Sequence, residues 1–386
     1  MIRTGITGID EMLGSGIPRG SRVLFSLEPG VDARVFMYST LNAALSQGLR
    51  CVIVNPLATE EVFRSDLLEA KGIDIDSFGD YAVILDSRER DRINKMCSRR
   101  EDRRREWDSL LKAVCERQKT EVVFVYFDLM YEDLGLEAAV DVFGASCCGG
   151  KLTLVMENLN LEGQQLVSRF SDDFAFDLII TLKSGYTTMP FFNFFTLEYT
   201  SWSKVPTRSI PYLISDGTIR LYIPKIVVTG PASSGKSTFV SNASDRGVSV
   251  DRGGQGDQTT VAMDLGWLHL KGFEITIYGT PGKPRFDPII PQLVLHAMGI
   301  VLVIDVTRKD TLERAKELMQ LAHAERLPMV VAANKIDLPH SLTEEEIRSI
   351  LGLREDTPVY FISALRRAEV RHVIESMVDQ ITRFPY

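Results

Sequence analysis

The sequence predicts an α/β protein of two domains, each a mostly parallel β-sheet flanked by helices. With 386 residues the chain is longer than a typical single domain. Short apolar runs alternate with helical stretches, a pattern typical of parallel strands buried on both faces. One such run, residues 226–229, leads directly into G-x-x-x-x-G-K-S at residues 230–237. These observations predict one domain at residues 1–223 and a second at residues 224–386.

The first domain is predicted from apolar runs separated by helical stretches, which indicates parallel βαβ units. The runs occupy residues 22–26, 50–54, 81–85, 122–127, 152–156 and 177–182. Residues 191–223 instead alternate between apolar and polar around Asp216-Gly217, which predicts an antiparallel hairpin closing the domain. Lys225 begins a new predicted strand, so the domain boundary is expected near Ile223-Pro224.

The glycine-rich segment at 230–237 has the residue types that a phosphate site requires. Its glycines let backbone N–H groups turn inward around a phosphate, and the following helix adds its positive end. Lys236 supplies charge to the outer phosphates, and Ser237 offers a hydroxyl to Mg²⁺. The candidate phosphate-binding residues are Gly230, Ala232, Ser233, Ser234, Gly235, Lys236, Ser237 and Thr238.

Downstream elements continue the α/β pattern and end in two further motifs. A hairpin over 261–270 and 273–278 is followed by Gly279-Thr-Pro-Gly282, a strand at 300–304 and a helix at 310–324. A strand at 329–333 then leads into Asn334-Lys335-Ile336-Asp337. The last strand, 359–362, meets Ser363-Ala364-Leu365 before the closing helix.

This order of motifs resembles the small Ras-like GTPases over residues 224–386. The Asp337 carboxylate can accept hydrogen bonds from guanine N1–H and its amino group. Adenine would leave a buried Asp unpaired and is therefore rejected. The resemblance further implies that Asn334 braces the loop, that Lys335 lies over the base, and that an amide at Ser363-Ala364 meets the guanine oxygen. The expected ligands are GTP or GDP with Mg²⁺.

The residues that would sense the γ-phosphate depart in part from that family. Thr260 matches the switch threonine that holds Mg²⁺, although it also reads as an ordinary strand residue. Gly282 matches the glycine that senses the γ-phosphate, but Gly279 replaces the aspartate of the usual D-x-x-G. This departure resembles the gliding-motility polarity GTPases and related prokaryotic Arf/Rab-like proteins, in which an acid on the preceding strand serves. Asp264 has that position and is the candidate for assisting the metal. Alternatively, Asp264 is a buried, paired residue with a structural role only.

Lys283 occupies the position after Gly282 that normally holds the glutamine orienting the attacking water. A lysine has three donors and no acceptor, so it cannot activate water by that route. Hydrolysis is then expected to be slow without a partner. In the alternative, Lys283 or Arg285 neutralises developing phosphate charge in cis.

Residues 1–223 resemble the RecA/KaiC-like ATPase domains. The resemblance rests on Thr4-Gly-Ile-Thr-Gly-Ile-Asp10, on Gly16-Ile-Pro-Arg-Gly20 and on the Glu28-Pro-Gly30 loop. It predicts that both domains are of the P-loop NTPase type.

The catalytic residues of that ATPase family are missing from this chain. Ala33 and Arg34 stand where the family has its lysine and hydroxyl, and Asp32 replaces a loop glycine. The strand that would end in catalytic glutamates ends in Asn55, and Asp128 alone keeps a metal-assisting position. These changes indicate a pseudo-ATPase.

Composition limits the partners and the location. A net charge of -8 argues against nucleic-acid binding. No apolar run is long enough to span a membrane and no lipidation motif is present, so no direct membrane anchor is expected. Five cysteines without metal-ligand spacing favour a reducing, cytoplasmic setting.

The sequence favours a guanine-nucleotide regulatory switch with slow hydrolysis, coupled to the pseudo-ATPase domain and awaiting a protein effector or activating partner. One alternative is a scaffold that holds GTP or GDP as a structural cofactor and never cycles. An ATP-dependent, KaiC-like ring assembly is disfavoured by Ala33 and Asn55.

Overall fold

The computed structural model divides the chain into two compact units, Met1–Leu221 and Tyr222–Tyr386. The structure describes residues 1–32, 34–143, 152–159, 176–184, 193–202, 209–249, 264–340 and 342–383. Each unit combines a β-sheet with helices, and parallel strand pairs make up one side of each strand order. The predicted fold class is therefore confirmed.

The first unit is built on strands that pair in the order β3-β2-β4-β5-β1-β6-β7-β8-β9. Pairs from β3 to β6 are parallel, and β6 to β9 are antiparallel. The strands are β1 (Arg22–Leu27), β2 (Cys51–Val54), β3 (Ala82–Leu85), β4 (Val122–Tyr126), β5 (Thr153–Leu159), β6 (Leu178–Ser184), β7 (Asn193–Thr200), β8 (Ile210–Ser215) and β9 (Thr218–Thr229). The antiparallel closing hairpin predicted from the sequence is present.

Helices surround this sheet and bury its apolar side chains. They are α1 (Thr7–Met12), α2 (Arg34–Ser46), α3 (Glu60–Lys71), α4 (Ser87–Met96), α5 (Arg100–Gln118), α6 (Phe127–Leu134) and α7 (Leu136–Asp141). Trp107 of α5 is fully buried in a core formed with strand side chains such as Leu24 and Val123. Phe36 of α2 packs edge-on against Tyr212 of β8, with ring centroids 5.0 Å apart.

The turn between β8 and β9 requires a glycine at its second position. Gly217 has φ +65°, and a Cβ there would lie 2.2 Å from the carbonyl oxygen of Ala70. The Lys71 ammonium donates to the Gly217 carbonyl over 2.6 Å. The predicted Asp216-Gly217 turn is thus held by the end of α3.

The second unit has strands in the order β10-β11-β12-β9-β13-β14-β15. Strands β9, β13, β14 and β15 are parallel, whereas β10, β11 and β12 pair antiparallel. Besides β9, the strands are β10 (Arg246–Ser249), β11 (Asp264–Leu270), β12 (Phe273–Gly279), β13 (Gly299–Asp305), β14 (Met329–Asn334) and β15 (Val359–Ile362).

Strand β9 corrects one prediction. The sequence predicts a strand ending at Tyr222 and a new one starting at Lys225, but residues 218–229 form a single strand. Pro224 lies between residues 218–221, which pair with β8, and residues 226–229, which pair with β13.

The helices of the second unit are α8 (Lys236–Ala243), α9 (Ile290–Val294), α10 (Leu312–Leu321), α11 (Glu344–Leu351) and α12 (Arg367–Arg383). Helix α11 begins with a capping box in which Thr343 and Glu346 satisfy each other's backbone N–H groups. Helices α10 and α11 share a buried core with β13 and β14. Helix α12 packs against α8 and against the same strands.

Candidate functional site

The loop between β9 and α8 passes so close to its neighbours that two of its glycines cannot be replaced. Gly230 has φ +149°, and a Cβ there would lie 2.0 Å from the carbonyl oxygen of Val303. Gly235 has φ +99°, and its Cβ would lie 2.2 Å from Asn334 Nδ2. The first and last glycines of the sequence motif therefore fix the path of this loop.

Lys236, the first residue of α8, is buried inside the loop and only 8% exposed. Its ammonium donates to the Pro231 carbonyl over 2.7 Å. Burial lowers the pKa of Lys236 to about 8, opposed by the nearby Asp264 carboxylate. Because burial disfavours this cation, an anion entering the loop would stabilise it.

The remaining loop residues differ in their exposure. Ala232, Ser233 and Ser237 are exposed, and Thr238 is half-buried. Ser234 is buried, and its hydroxyl has no hydrogen-bond partner among the residues that the structure describes. The residues of the loop that reach solvent are therefore Ala232, Ser233 and Ser237.

Gly282 lies directly on this loop. A Cβ at Gly282 would be 2.6 Å from the Ala232 amide nitrogen and 2.7 Å from Lys236 Nζ. The segment is anchored by Thr280, whose amide donates to the Val228 carbonyl over 2.9 Å. The Thr280 hydroxyl also donates to Thr229 Oγ1 over 2.9 Å. Thr280 belongs to the motif Gly279-Thr-Pro-Gly282, but its sequence context predicted no role for its side chain.

The residue after Gly282 is Lys283, whose side chain is exposed. It precedes a short 3₁₀ helix, Pro284–Ile289, with a proline in its first turn. The structure therefore brings Gly282, but not the Lys283 side chain, into the packed part of the site.

Asp264 and Gly279 are directly opposed in the β11–β12 ladder. A Cβ at Gly279 would lie 3.0 Å from the Asp264 Cβ and 3.2 Å from its Oδ2. The glycine that departs from the usual motif therefore provides the space that the Asp264 side chain occupies. Thr260, the other predicted metal ligand, lies outside the described residues.

Asn334, at the end of β14, joins two loops through its amide. Its Nδ2 donates to the Ser234 carbonyl over 2.7 Å, and its Oδ1 accepts from the Ala364 amide over 2.7 Å. Asn334 is only 2% exposed, so both bonds are buried. Asn334 therefore connects the loop at residues 230–235 to the segment at Ser363-Ala364.

The segment at Ser363-Ala364 has further partners that the sequence analysis missed. The Ser363 amide donates to Glu369 Oε2 over 2.7 Å. The Ala364 carbonyl accepts from Asn242 Nδ2 of α8 over 2.7 Å. Both amides suggested for base recognition therefore have acceptors within the protein.

Lys335 and Asp337 follow Asn334 but have different surroundings. Lys335 has φ +74°, and its ammonium donates to Asp305 Oδ2 over 2.6 Å. Asp337 is exposed rather than buried, which corrects the expectation used to exclude adenine. A hydrogen bond with the Ser363 side chain lowers the pKa of Asp337. The carboxylate is therefore ionised and able to accept hydrogen bonds at neutral pH.

In the first unit, the corresponding loop follows β1 and contains carboxylate–arginine ion pairs. Arg34, at the start of α2, forms ion pairs with Asp32 over 2.8 Å and with Asp66 over 2.7 Å. Residue 33 lies outside the described residues. The one arginine of this loop is thus engaged by two carboxylates.

Two half-buried acids of the first unit are Asp128, in the first turn of α6 after β4, and Glu157, near the end of β5. Burial raises the pKa of Asp128 to about 6, although its carboxylate accepts hydrogen bonds from Asn158 Nδ2 and the Leu159 amide. Burial raises the pKa of Glu157 to about 8. Oε2 of Glu157 has no hydrogen-bond partner within the described part of the chain.

Three further observations concern metals, membranes and cysteines. No group of three or more His, Cys, Asp or Glu side chains among the described residues is arranged to hold a metal ion. In the same residues, no helix combines the length and the apolar character needed to cross a bilayer. Cys51, Cys97 and Cys115 are buried and form no disulfide among the described residues, and residues 147–148 lie outside the described ranges.

Comparison with solved structures adds a similarity to the KaiC-like protein PH0186 from Pyrococcus horikoshii OT3. The two chains are 15% identical with a TM-score of 0.45, over 57% of this chain and 98% of the other.

Comparison with known families and curated proteins identifies the second part of the chain. Residues 225–383 match the Ras family. The Ras-related protein RABA1h of Arabidopsis thaliana is 30% identical over 172 residues, which are 42% of this chain and 76% of that protein. The Ras-related protein Rab-18 of Caenorhabditis elegans is 26% identical over 178 residues, which are 44% of this chain and 85% of that protein. The uncharacterized protein MJ1339 of Methanocaldococcus jannaschii is 31% identical over 121 residues, which are 31% of this chain and 75% of that protein. Through its residues 225–383, the chain belongs to the Ras family of small GTPases.

Proposed function

We propose that residues 224–386 form a guanine-nucleotide switch that hydrolyses GTP slowly and acts in the cytoplasm. The observation that carries the proposal is the position of Gly282 against the Ala232 amide and the Lys236 ammonium. A γ-phosphate held by that amide and that ammonium would meet the Gly282 backbone directly. The presence or loss of the γ-phosphate would then change the position of the segment around Gly282. The GTP-bound and GDP-bound forms would therefore present different surfaces to a partner.

Guanine is the proposed base because of the groups at the ends of β14 and β15. Asp337 is an ionised acceptor, and Asn334 fixes the Ser363-Ala364 segment beside it. A bound guanine would cover the exposed Asp337 carboxylate. Its N1–H and amino group would donate two hydrogen bonds to that carboxylate, and adenine offers neither donor at this edge. The Ala364 amide would share its donor between Asn334 and the guanine oxygen.

Mg²⁺ is the proposed metal, with Ser237, Thr260 and Asp264 as candidate ligands. The exposed hydroxyl of Ser237 and the space that Gly279 leaves for Asp264 fit such a site. A cluster of three protein acids is not required, since Mg²⁺ usually keeps several waters and binds phosphate oxygens. When bound, the metal would offset the charge of the phosphates.

Slow hydrolysis follows from the chemistry of Lys283. Its side chain is exposed and has no acceptor atom, so it cannot orient water by accepting a hydrogen bond. An activating protein that supplies this function is therefore part of the proposal, and effectors that read the nucleotide state are the other expected partners. Nucleic acid is not an expected partner.

Residues 1–223 are proposed as a pseudo-ATPase domain that binds a protein partner. The ion pairs of Arg34 with Asp32 and Asp66 support the loss of phosphate binding, because two carboxylates would repel a phosphate there. The test is ATP binding to the full chain carrying Lys236→Ala, which disables the second site. No ATP retention is expected, and stoichiometric ATP binding would contradict the proposal.

A non-cycling scaffold is the second candidate, because Gly279 and Lys283 both depart from the residues of cycling GTPases. Dissociation of a fluorescent GDP analogue separates the two functions. Exchange on a scale of minutes to hours supports a switch, and retention over days with and without EDTA supports the scaffold.

The nucleotide site itself is tested by Lys236→Ala. We expect at least a hundredfold faster GDP dissociation, since the variant loses a buried ammonium at the phosphates. The matched control is Lys309→Ala, which removes an exposed lysine paired with Glu346 in the same unit. Equal dissociation from both variants would contradict the proposed site.

A further inference from the structure

Asp305 is a buried acid beside the proposed base site that no sequence motif identifies. It is the last residue of β13, is only 3% exposed, and lies opposite Asn334 in the β13–β14 ladder. The next residue continues this pairing, since the Val306 amide donates to the Asn334 carbonyl over 3.0 Å. The parallel register therefore places a carboxylate at the point where residues 334–337 leave the sheet.

Both oxygens of the Asp305 carboxylate are engaged. Oδ1 accepts from the Thr307 amide over 3.0 Å and from the Thr307 hydroxyl over 2.6 Å. Oδ2 accepts from the Lys335 ammonium over 2.6 Å. These bonds lower the pKa of Asp305 although burial opposes the shift, so the group is ionised at neutral pH.

Lys335 has a backbone conformation that needs external support. Its φ of +74° lies in the left-handed region, which side chains other than glycine, asparagine and aspartate adopt rarely. The residue is held from one side by the Asn334 network and from the other by Asp305. Without the carboxylate, the long lysine side chain would sample many rotamers.

We propose that Asp305 is a positioning residue for guanine nucleotide, which holds Lys335 in the orientation that covers the base. The inference rests on the proposed function, because it assumes that Lys335 contacts bound nucleotide. Asp305 acts only through Lys335, and Thr307 orients Asp305 by its two hydrogen bonds. A purely structural ion pair is the competing explanation.

The test is a double-mutant cycle on the dissociation rate of GDP from the full chain. Asp305→Asn keeps the shape of the side chain and removes its charge, so we expect GDP to dissociate about tenfold faster. Lys335→Ala should speed dissociation at least as much. The variant with both changes should lose GDP no more than about twofold faster than Lys335→Ala alone, because Asp305 then has no lysine to position.

A structural role predicts a different outcome. In that case the two rate effects would multiply in the double variant, and this result, or an unchanged rate in Asp305→Asn, would overturn the inference. Should Asp305→Asn fold poorly, Thr307→Val serves instead: it removes the hydroxyl donor and should speed dissociation about threefold, an effect absent in the Lys335→Ala background. Asp310→Asn is the matched control, since Asp310 is an exposed acid paired with Arg308 in the same region.

Failure of the inference is distinguishable from failure of the proposed function. If Lys236→Ala also leaves GDP dissociation unchanged, the nucleotide site itself is wrong. If Lys236→Ala releases GDP while the double-mutant cycle shows independent effects, the site stands and only the role of Asp305 is wrong.

Discussion

The Asn334 amide gives the most quantitative prediction of the account. Asn334→Ala removes two buried hydrogen bonds of 2.7 Å and leaves the Ser234 carbonyl and the Ala364 amide without that partner. Each buried polar group left unsatisfied costs about 1–3 kcal/mol, so the expected loss in free energy of unfolding is about 2–6 kcal/mol. Since the same bonds fix the loop at residues 230–235 against the segment at Ser363-Ala364, GDP should dissociate about a hundredfold faster.

Urea unfolding and GDP release together test this reasoning. The control is Asn242→Ala, which removes one half-buried hydrogen bond, to the Ala364 carbonyl, and should cost about 1 kcal/mol. We expect GDP to dissociate fastest from Asn334→Ala, more slowly from Asn242→Ala and most slowly from the unmodified chain. A destabilised Asn334→Ala that releases GDP at the normal rate would refute the claim that this side chain couples the two loops to the nucleotide.

Three further predictions concern the phosphates and the first unit. Gly282→Ala places a Cβ within 2.7 Å of Lys236 Nζ and should weaken GTP binding at least tenfold more than GDP binding; equal losses measured by calorimetry would contradict it. Lys283→Gln restores an acceptor and should speed single-turnover GTP hydrolysis at least tenfold, and an unchanged rate would show that Lys283 does not limit hydrolysis. Glu157 has its pKa raised to about 8 from an ordinary 4.5, so the folded state loses stability as pH rises from 4.5 to 8. Glu157→Gln should therefore stabilise the protein by about 3 kcal/mol more at pH 8 than at pH 5, whereas the same gain at both pH values would contradict this pKa.

Those parts of the fold that depend on neighbouring residues in the chain could be predicted from the sequence. Apolar runs of β-branched residues marked the strands, and the parallel order followed from the helices between them. The Asp216-Gly217 turn was predictable because a positive φ at Gly217 is a local requirement. In contrast, the continuity of β9 through Pro224 was not predicted, because the strands that pair with the residues on either side of a proline cannot be read from the local sequence.

The candidate site was predictable where a motif names a residue, and not where strand register creates a contact. Nothing near Asp305 in the sequence indicates that it meets Lys335, thirty residues away, since only the β13–β14 register brings them together. Thr280 and Asn242 were missed for the same reason. Likewise, only the β11–β12 register shows that the missing side chain of Gly279 leaves room for the Asp264 side chain.

The central claim is that guanine nucleotide binds in the second unit and that the first unit binds none. The most direct measurement is the identity, phosphate count and stoichiometry of nucleotide extracted from the purified full chain, with Lys236→Ala in parallel. The account predicts close to one guanine nucleotide per chain, GDP or GTP, and almost none from the variant. Adenine nucleotide in the extract, or guanine nucleotide that persists in Lys236→Ala, would contradict it.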